Sequence, residues 1–185
     1  MHKEVLRYLQ VPAGSHAAQE AQDLWEEAQA LVRVATWQRS LEAAEFFRLF
    51  HPHAAASQAL GRLLVGCTQV VLMIATLGDQ LERRAKDYFA GHETFRGYVL
   101  DRLGSYLVEH QMRLLDRRVV RQAAAQGLAA TRRYSPGYQD FSLEAQPIFL
   151  ALAGGDLPDL RLSPAGLLLP EKTITAIKGL VAFIL

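Results

Sequence analysis

The run "VVLMIATL", residues 70–77, decides the fold. It is apolar, rich in β-branched residues and closed by Gly78, the pattern of a strand buried on both faces. It is also far shorter than the ~20 residues that a membrane helix needs. Downstream, "GDQLERRAKDYFAG" (78–91) predicts a helix with Asp79 as cap and Gly91 as stop. Residues 93–126 then carry Phe95, Val99, Leu103, Leu107 and Leu114 at spacings of three, four and seven, which predicts one long amphipathic helix. Upstream, "AAASQALGRLLVGC" (54–67) predicts a compact helix, and "TWQRSLEA" (36–43) alternates weakly, as an edge strand does. "HAAQEAQDLWEEAQALVRVA" (16–35) has helical spacing, with Ser15 placed as its N-cap. After Gly127 the chain turns at a Ser-Pro-Gly corner and restarts as a helix near Ser142. The segments 154–162, 163–170 and 172–185 then read as a turn followed by short strands. Helices, strand, helices and strands follow one another without regular βα alternation. The expected class is α+β: one domain over 1–185, with long helices packed on a mostly antiparallel sheet.

A chain of 185 residues suits one domain with a substantial core. Its formal net charge of +1 leaves no overall field that would draw it to nucleic acid or to an anionic membrane, so neither is an expected partner. The lone Cys67 excludes a disulfide framework or an iron–sulfur site built from this chain's own thiolates, and it suits a reducing compartment. The opening "MHKEVLRYLQVPAGSH" mixes charges into its apolar residues and does not resemble a signal peptide, so cytoplasm is the expected location. The chain has no G-x-G-x-x-G after a strand, no Walker loop, no H-E-x-x-H and no G-x-S-x-G. The pair His51 and His53 flanks a proline without a third ligand nearby, and "LAGGD" (152–156) reads as the stop of a helix.

The corner "RRYSPGYQDF" (132–141) is richer in chemistry. Pro136 fixes its own φ and presses Ser135 toward an extended conformation, while Gly137 permits a positive φ and close approach to the main chain. Arg133 brings a planar fork suited to a carboxylate, and Tyr138 an aromatic face or a hydroxyl. Those groups suit an amino-acid-like ligand. Residues 133–138 also read as an ordinary turn, with Arg133 solvated and Tyr138 packed.

A wider pattern surrounds the corner. "RRYSPGYQDFSLEAQPIFLAL" followed by "LRLSPAGLLLPEKTITAIKG" is similar to the end of the activation domain of cobalamin-dependent methionine synthase, where Arg-x-x-Pro-Gly-Tyr precedes a helix and a strand. "VVLMIATLGDQLE", "YVLDRLGSYLVEHQ" and "KEVLRYL" resemble stretches of the short, stand-alone relatives of that domain. The resemblance implies a methionine synthase activation domain-like fold that binds S-adenosylmethionine. In that family one-electron reduction of inactive cob(II)alamin is trapped by methyl transfer from S-adenosylmethionine to cobalt. Carried over, Arg133 would pair with the methionyl carboxylate. The backbone around Ser135, Pro136 and Gly137 would hold the adenosyl part, and Tyr138 would line the site.

Asp101, Ser105 and Glu109 share one stripe of the long helix. Glu109 is placed either to meet the ligand's ammonium or sulfonium or to pair with Arg113, whereas Asp101 reads as structural. The chain lacks the Asp-x-His-x-x-Gly cobalamin-binding element, so the resemblance implies that cobalamin is carried by a partner. That partner is a cobalamin-dependent methionine synthase or another corrinoid protein, with a flavodoxin-like reductant as electron source. In full-length methionine synthases the domain continues past the last strand with further ligand-binding residues. Weaker affinity, or completion of the pocket by another chain, is therefore expected. Three roles follow: an activation subunit for a separate methionine synthase, a reactivation factor for the corrinoid protein of another methyltransferase system, or a non-catalytic S-adenosylmethionine-binding or docking module.

Overall fold

Residues 3–182 are described by a computed structural model. Helix α1 (Lys3–Leu9) leads to α2 (His16–Leu31), which starts as expected, with Ser15 Oγ accepting from the Ala18 amide at 3.1 Å. Strand β1 (Ala35–Glu42) precedes three short helices, α3 (Ala43–Leu49), α4 (His53–Ala56) and α5 (Gln58–Leu63). The single helix expected over 54–67 is therefore broken. Ser57 leaves the helical region at φ −91° and ψ 106° and caps α5, its Oγ accepting from the Leu60 amide. Strand β2 (Gln69–Thr76) is the apolar run, and α6 (Gln80–Ala90) and α7 (Thr94–Ala125) are the two helices expected after it. Asp79 does not cap α6 with its side chain; it pairs with Arg83 one turn on. Gly127 ends α7 at φ +71°, the left-handed conformation that closes many helices.

Strand β3 (Leu128–Ala130) precedes the corner, after which a 3₁₀ turn (Leu143–Ala145) runs into α8 (Gln146–Ala153). Strands β4 (Arg161–Leu162) and β5 (Leu168–Leu169) form a small ribbon, and β6 (Thr173–Ala182) ends the described chain. The last strand was expected to be short, yet it has ten residues, because it has a neighbour on either side. Residues 183–185 of the expected terminal strand, and residues 1–2 of the opening, lie outside the described ones.

The main sheet has the order β1-β2-β6-β3, with every pair antiparallel and β1 at one edge. Because side chains alternate across a strand, β2 feeds two cores. Val70, Leu72 and Ile74 join Phe46, Phe50, Phe141 and Phe149 on one face. Val71, Met73 and Ala75 meet Met112, Leu115 and Val119 of α7 on the other. A third core gathers α1, α2, α6 and the first half of α7 around Leu24, Leu81 and Leu100. The fold is α+β, with long helices against an antiparallel sheet.

Helix α7 changes partner along its length, and so its buried stripe rotates. Phe95 and Leu114, both expected inside, are 40% and 41% exposed, while Leu100, Val108, Met112 and Leu115 are buried instead. Gly104 leaves room for α6 and for Lys172, the residue before β6, to pack closely on α7, for a Cβ there would sit 2.7 Å from Leu81 Cδ2 and 3.0 Å from Lys172 Cε. No described helix is long and apolar enough to cross a membrane. Among the described residues no cluster suits a metal ion, and His53 opens α4 with Nδ1 4.0 Å from Glu144.

Candidate functional site

The corner hangs on the outer side of β6. Tyr134 forms a single antiparallel bridge with Ile177: the Ile177 amide donates to Tyr134 O at 2.7 Å and the Tyr134 amide to Ile177 O at 3.0 Å. The Tyr134 ring stacks on Phe141, with centroids 6.2 Å apart, and its hydroxyl donates to Tyr138 O at 3.1 Å. Burial raises the pKa of that phenol, helped by the negative charge of Asp140, which keeps it a neutral donor. Gly137 takes φ +89°, and its amide donates to Phe141 O at 2.7 Å, while the Tyr138 amide donates to Ser135 O at 3.2 Å. Pro136 is buried, whereas Tyr138 is 64% exposed.

Asp140 anchors the far side of this loop. Its Oδ1 accepts from Ser57 Oγ at 2.6 Å and its Oδ2 from the Ala59 amide at 3.2 Å, which ties the loop to the start of α5. These bonds, the Ser57 hydroxyl first, hold its carboxyl below the usual range.

Arg133 and Glu109 meet. Arg133 Nη2 donates to both carboxylate oxygens of Glu109, at 2.8 and 3.1 Å, and Arg113 Nε stands 3.6 Å from the same carboxylate. Glu109 therefore pairs with Arg113 only loosely, and its close partner is Arg133, which the sequence reading had not paired with it. Arg133 Nη1 is buried and has no hydrogen-bond partner among the described residues. A buried guanidinium nitrogen without a partner is costly.

Two clefts flank this arginine. One, of about 220 Å³, is lined by Arg132, Arg133, Tyr134, Ser135, Tyr138 and Gln139. The other, of about 170 Å³, is lined by Glu109, Arg133, Ser135, Pro136 and Tyr138, with Gln146, Leu168 and residues 173–175 closing it. Arg133, Ser135 and Tyr138 thus belong to both walls.

Two features differ from the sequence reading. Ser105 is not brought to the clefts: it sits one turn along α7, where Lys172 Nζ donates to it at 3.1 Å and to Asp101 at 2.6 Å. Asp101 is structural, as expected. The amides of Gly137 and Tyr138 are used inside the turn, so the corner presents less free main chain than expected.

Open main chain is supplied by β6 instead. Ile177 turns its N–H and C=O toward Tyr134, and strand alternation gives Thr175 and Thr173 the same direction. No described strand pairs with them on that side. Thr173, Thr175 and Gln146 were missed from sequence because they reach the corner through tertiary packing, Thr175 Oγ1 donating to Gln146 Oε1 at 2.9 Å. The only local signal was the polar alternation of "KTIT" (172–175) at the head of an apolar strand. No protein-family model matches the chain, and no curated protein matches it. The chemistry of the corner therefore stands on its own residues.

Proposed function

We propose that this chain is an S-adenosylmethionine-binding activation subunit that supports reductive methylation of cob(II)alamin carried by a separate methionine synthase in the cytoplasm. The observation that carries the reading is the state of Arg133. One of its nitrogens holds Glu109, and the other is buried and free. The pair presents a cation and an anion side by side, the complement of an α-amino-acid zwitterion. The α-carboxylate would take Nη1 and the α-ammonium would approach Glu109. Tyr138 and the carbonyls of the corner would face the sulfonium, which favours aromatic faces and oxygen dipoles. The resemblance of the corner to the activation domain of methionine synthases points to the same ligand.

Bound S-adenosylmethionine supplies an electrophilic methyl group, and a flavodoxin-like donor supplies the electron that the partner's cobalt needs. The residues described here bind and orient the methyl donor. They leave the exposed Tyr138 side open toward a partner. The same arrangement would serve a corrinoid protein of another methyltransferase system, and the test separates the two.

The test is calorimetric titration with S-adenosylmethionine, followed by recovery of an inactive cob(II)alamin client in the presence of a reductant. One-site binding and recovery dependent on both components are expected for a methionine synthase client. Recovery of a demethylase corrinoid protein alone would transfer the role to that system. Binding without recovery of either client would leave a docking or sensing module, and absence of binding would remove the reading altogether.

A further inference from the structure

At the β1 edge of the main sheet, where β1 begins and β2 ends, two further clefts meet. One, of about 420 Å³, has apolar walls: Val32, Val34, Leu157, Pro158, Leu160 and Pro170. The other, of about 320 Å³, is polar, with Arg33, Arg83, Arg161, Asp79, Glu82 and Asp159 in its lining. Arg33, Gly78, Asp159 and Pro170 belong to both, so a cation and an anion stand where the apolar chamber opens into the polar one. Neither cleft shares a residue with the two around Arg133.

The backbone sets both charges in place. The Arg33 amide donates to Leu77 O at 2.7 Å, which ties the exit of α2 to the end of β2. Arg33 Nη1 donates to Ala30 O and Val32 O, at 2.9 and 3.0 Å, so the guanidinium is docked on carbonyls at the end of α2 with Nη2 and Nε left over. Gly78, at φ +71°, makes room for it, since a Cβ there would lie 3.2 Å from Arg33 Cβ. Asp159 sits in a turn closed by the Leu160 amide, which donates to Leu157 O at 3.1 Å, and its carboxylate has no partner among the described residues. The other acids of the clefts are engaged: Asp79 with Arg83, Glu82 with the Glu171 amide at 2.6 Å, and Asp156 with the Trp37 indole at 3.0 Å.

We propose that this pair of clefts is a binding site for an α-amino acid with an apolar side chain. The side chain would fill the apolar chamber, where Leu157 and Pro170 are buried and Val34, 46% exposed, has contact left to gain. The α-carboxylate would take the remaining nitrogens of Arg33, with Arg161 lining the same cleft, and the α-ammonium would take Asp159. Both ends of the ligand are needed. A simple carboxylic acid would meet Asp159 as a like charge, and a simple amine would meet Arg33 and Arg161 in the same way. A nucleotide is a poorer occupant, because three carboxylates line the polar cleft and no aromatic ring in either cleft offers a base its face. The inference does not rest on the ligand of the Arg133 clefts.

The experiment titrates the full chain with L-leucine and with three probes that each lack one part of it: isocaproate without the ammonium, isoamylamine without the carboxylate, and glycine without the side chain. Binding is read by calorimetry and by Trp37 emission in a Trp25→Phe chain, since the Trp37 indole is bonded to Asp156 of the apolar cleft. Leucine is expected to bind roughly tenfold or more tighter than each probe, and to bind equally well after Arg133→Ala. Asp159→Asn, at an exposed position, should remove the advantage over isocaproate with melting unchanged. Arg33→Met should remove the advantage over isoamylamine. No leucine binding overturns the proposal, as does equal binding of leucine and isocaproate, or of leucine and glycine. Leucine binding that is lost in Arg133→Ala but kept in Asp159→Asn overturns it by placing the amino acid at the corner. A failed S-adenosylmethionine titration beside leucine binding that depends on Asp159 would sink the ligand assignment of the corner and leave this second site standing.

Discussion

Arg133 is held between two demands, for Glu109 fixes one nitrogen while the other stays buried without a partner. Truncation to alanine removes both and is expected to weaken S-adenosylmethionine binding by about 1.5–3 kcal/mol, as for other charge-assisted hydrogen bonds. Calorimetry reading equal affinity in Arg133→Ala and the native chain would take this residue out of the site. Gly137 is constrained by its backbone rather than by contacts of its own. At φ +89° a β-branched side chain is strongly disfavoured, and any Cβ would lie 2.9 Å from Leu143 Cδ2. Gly137→Val should therefore lose ligand binding along with the turn, seen as a fall in affinity larger than the fall in melting temperature. A folded variant that binds normally would show that the corner is only a connection.

The loop holding those residues is an element pinned at both ends, by the Tyr134 bridge to β6 and by Asp140 on α5. Asp140→Ala should loosen the second attachment and lower the melting temperature near neutral pH. The sign follows from its depressed pKa. The stabilisation from the native carboxylate is complete above the ordinary carboxylate range and is lost as pH falls through the lower folded value, so the two proteins should converge in strong acid. Melting curves that keep a constant separation across that range would assign the effect to packing instead.

The same attachment shows what the sequence conceals. The β-branched run and the long helix were legible because their periodicities are local. The break at Ser57 depends in part on a carboxylate 83 residues away, which holds the Ser57 hydroxyl and the Ala59 amide. Arg133, Ser135, Pro136 and Tyr138 were legible as candidate neighbours because they share one short motif, and Glu109 as a candidate from its place on the long helix. Thr173, Thr175 and Gln146 were not, since only the antiparallel register delivers them.

Across the whole molecule β2 touches two cores, as β6 and α7 also do, and Leu77 just beyond it enters the third. A cavity cut into β2 should therefore be felt throughout. Leu72→Ala is expected to cost about 2–5 kcal/mol, a large part of the 5–15 typical of a domain. Trp37 packs against the first core and Trp25 against another, so each tryptophan reports on its own end. Urea titrations of Trp25→Phe and Trp37→Phe chains carrying this cavity should share one midpoint after correction for the tryptophan change itself. Separate midpoints would mean that the cores melt independently. One last consequence belongs to β6, which is accompanied on its outer side only as far as Tyr134. Solvent deuterium should reach the Thr175 amide through this gap while the neighbouring Ile177 amide, held at 2.7 Å, exchanges slowly. A seated ligand would act as the missing length of strand, so occupancy could be read as protection appearing at the Thr175 amide, two residues from one that never changes.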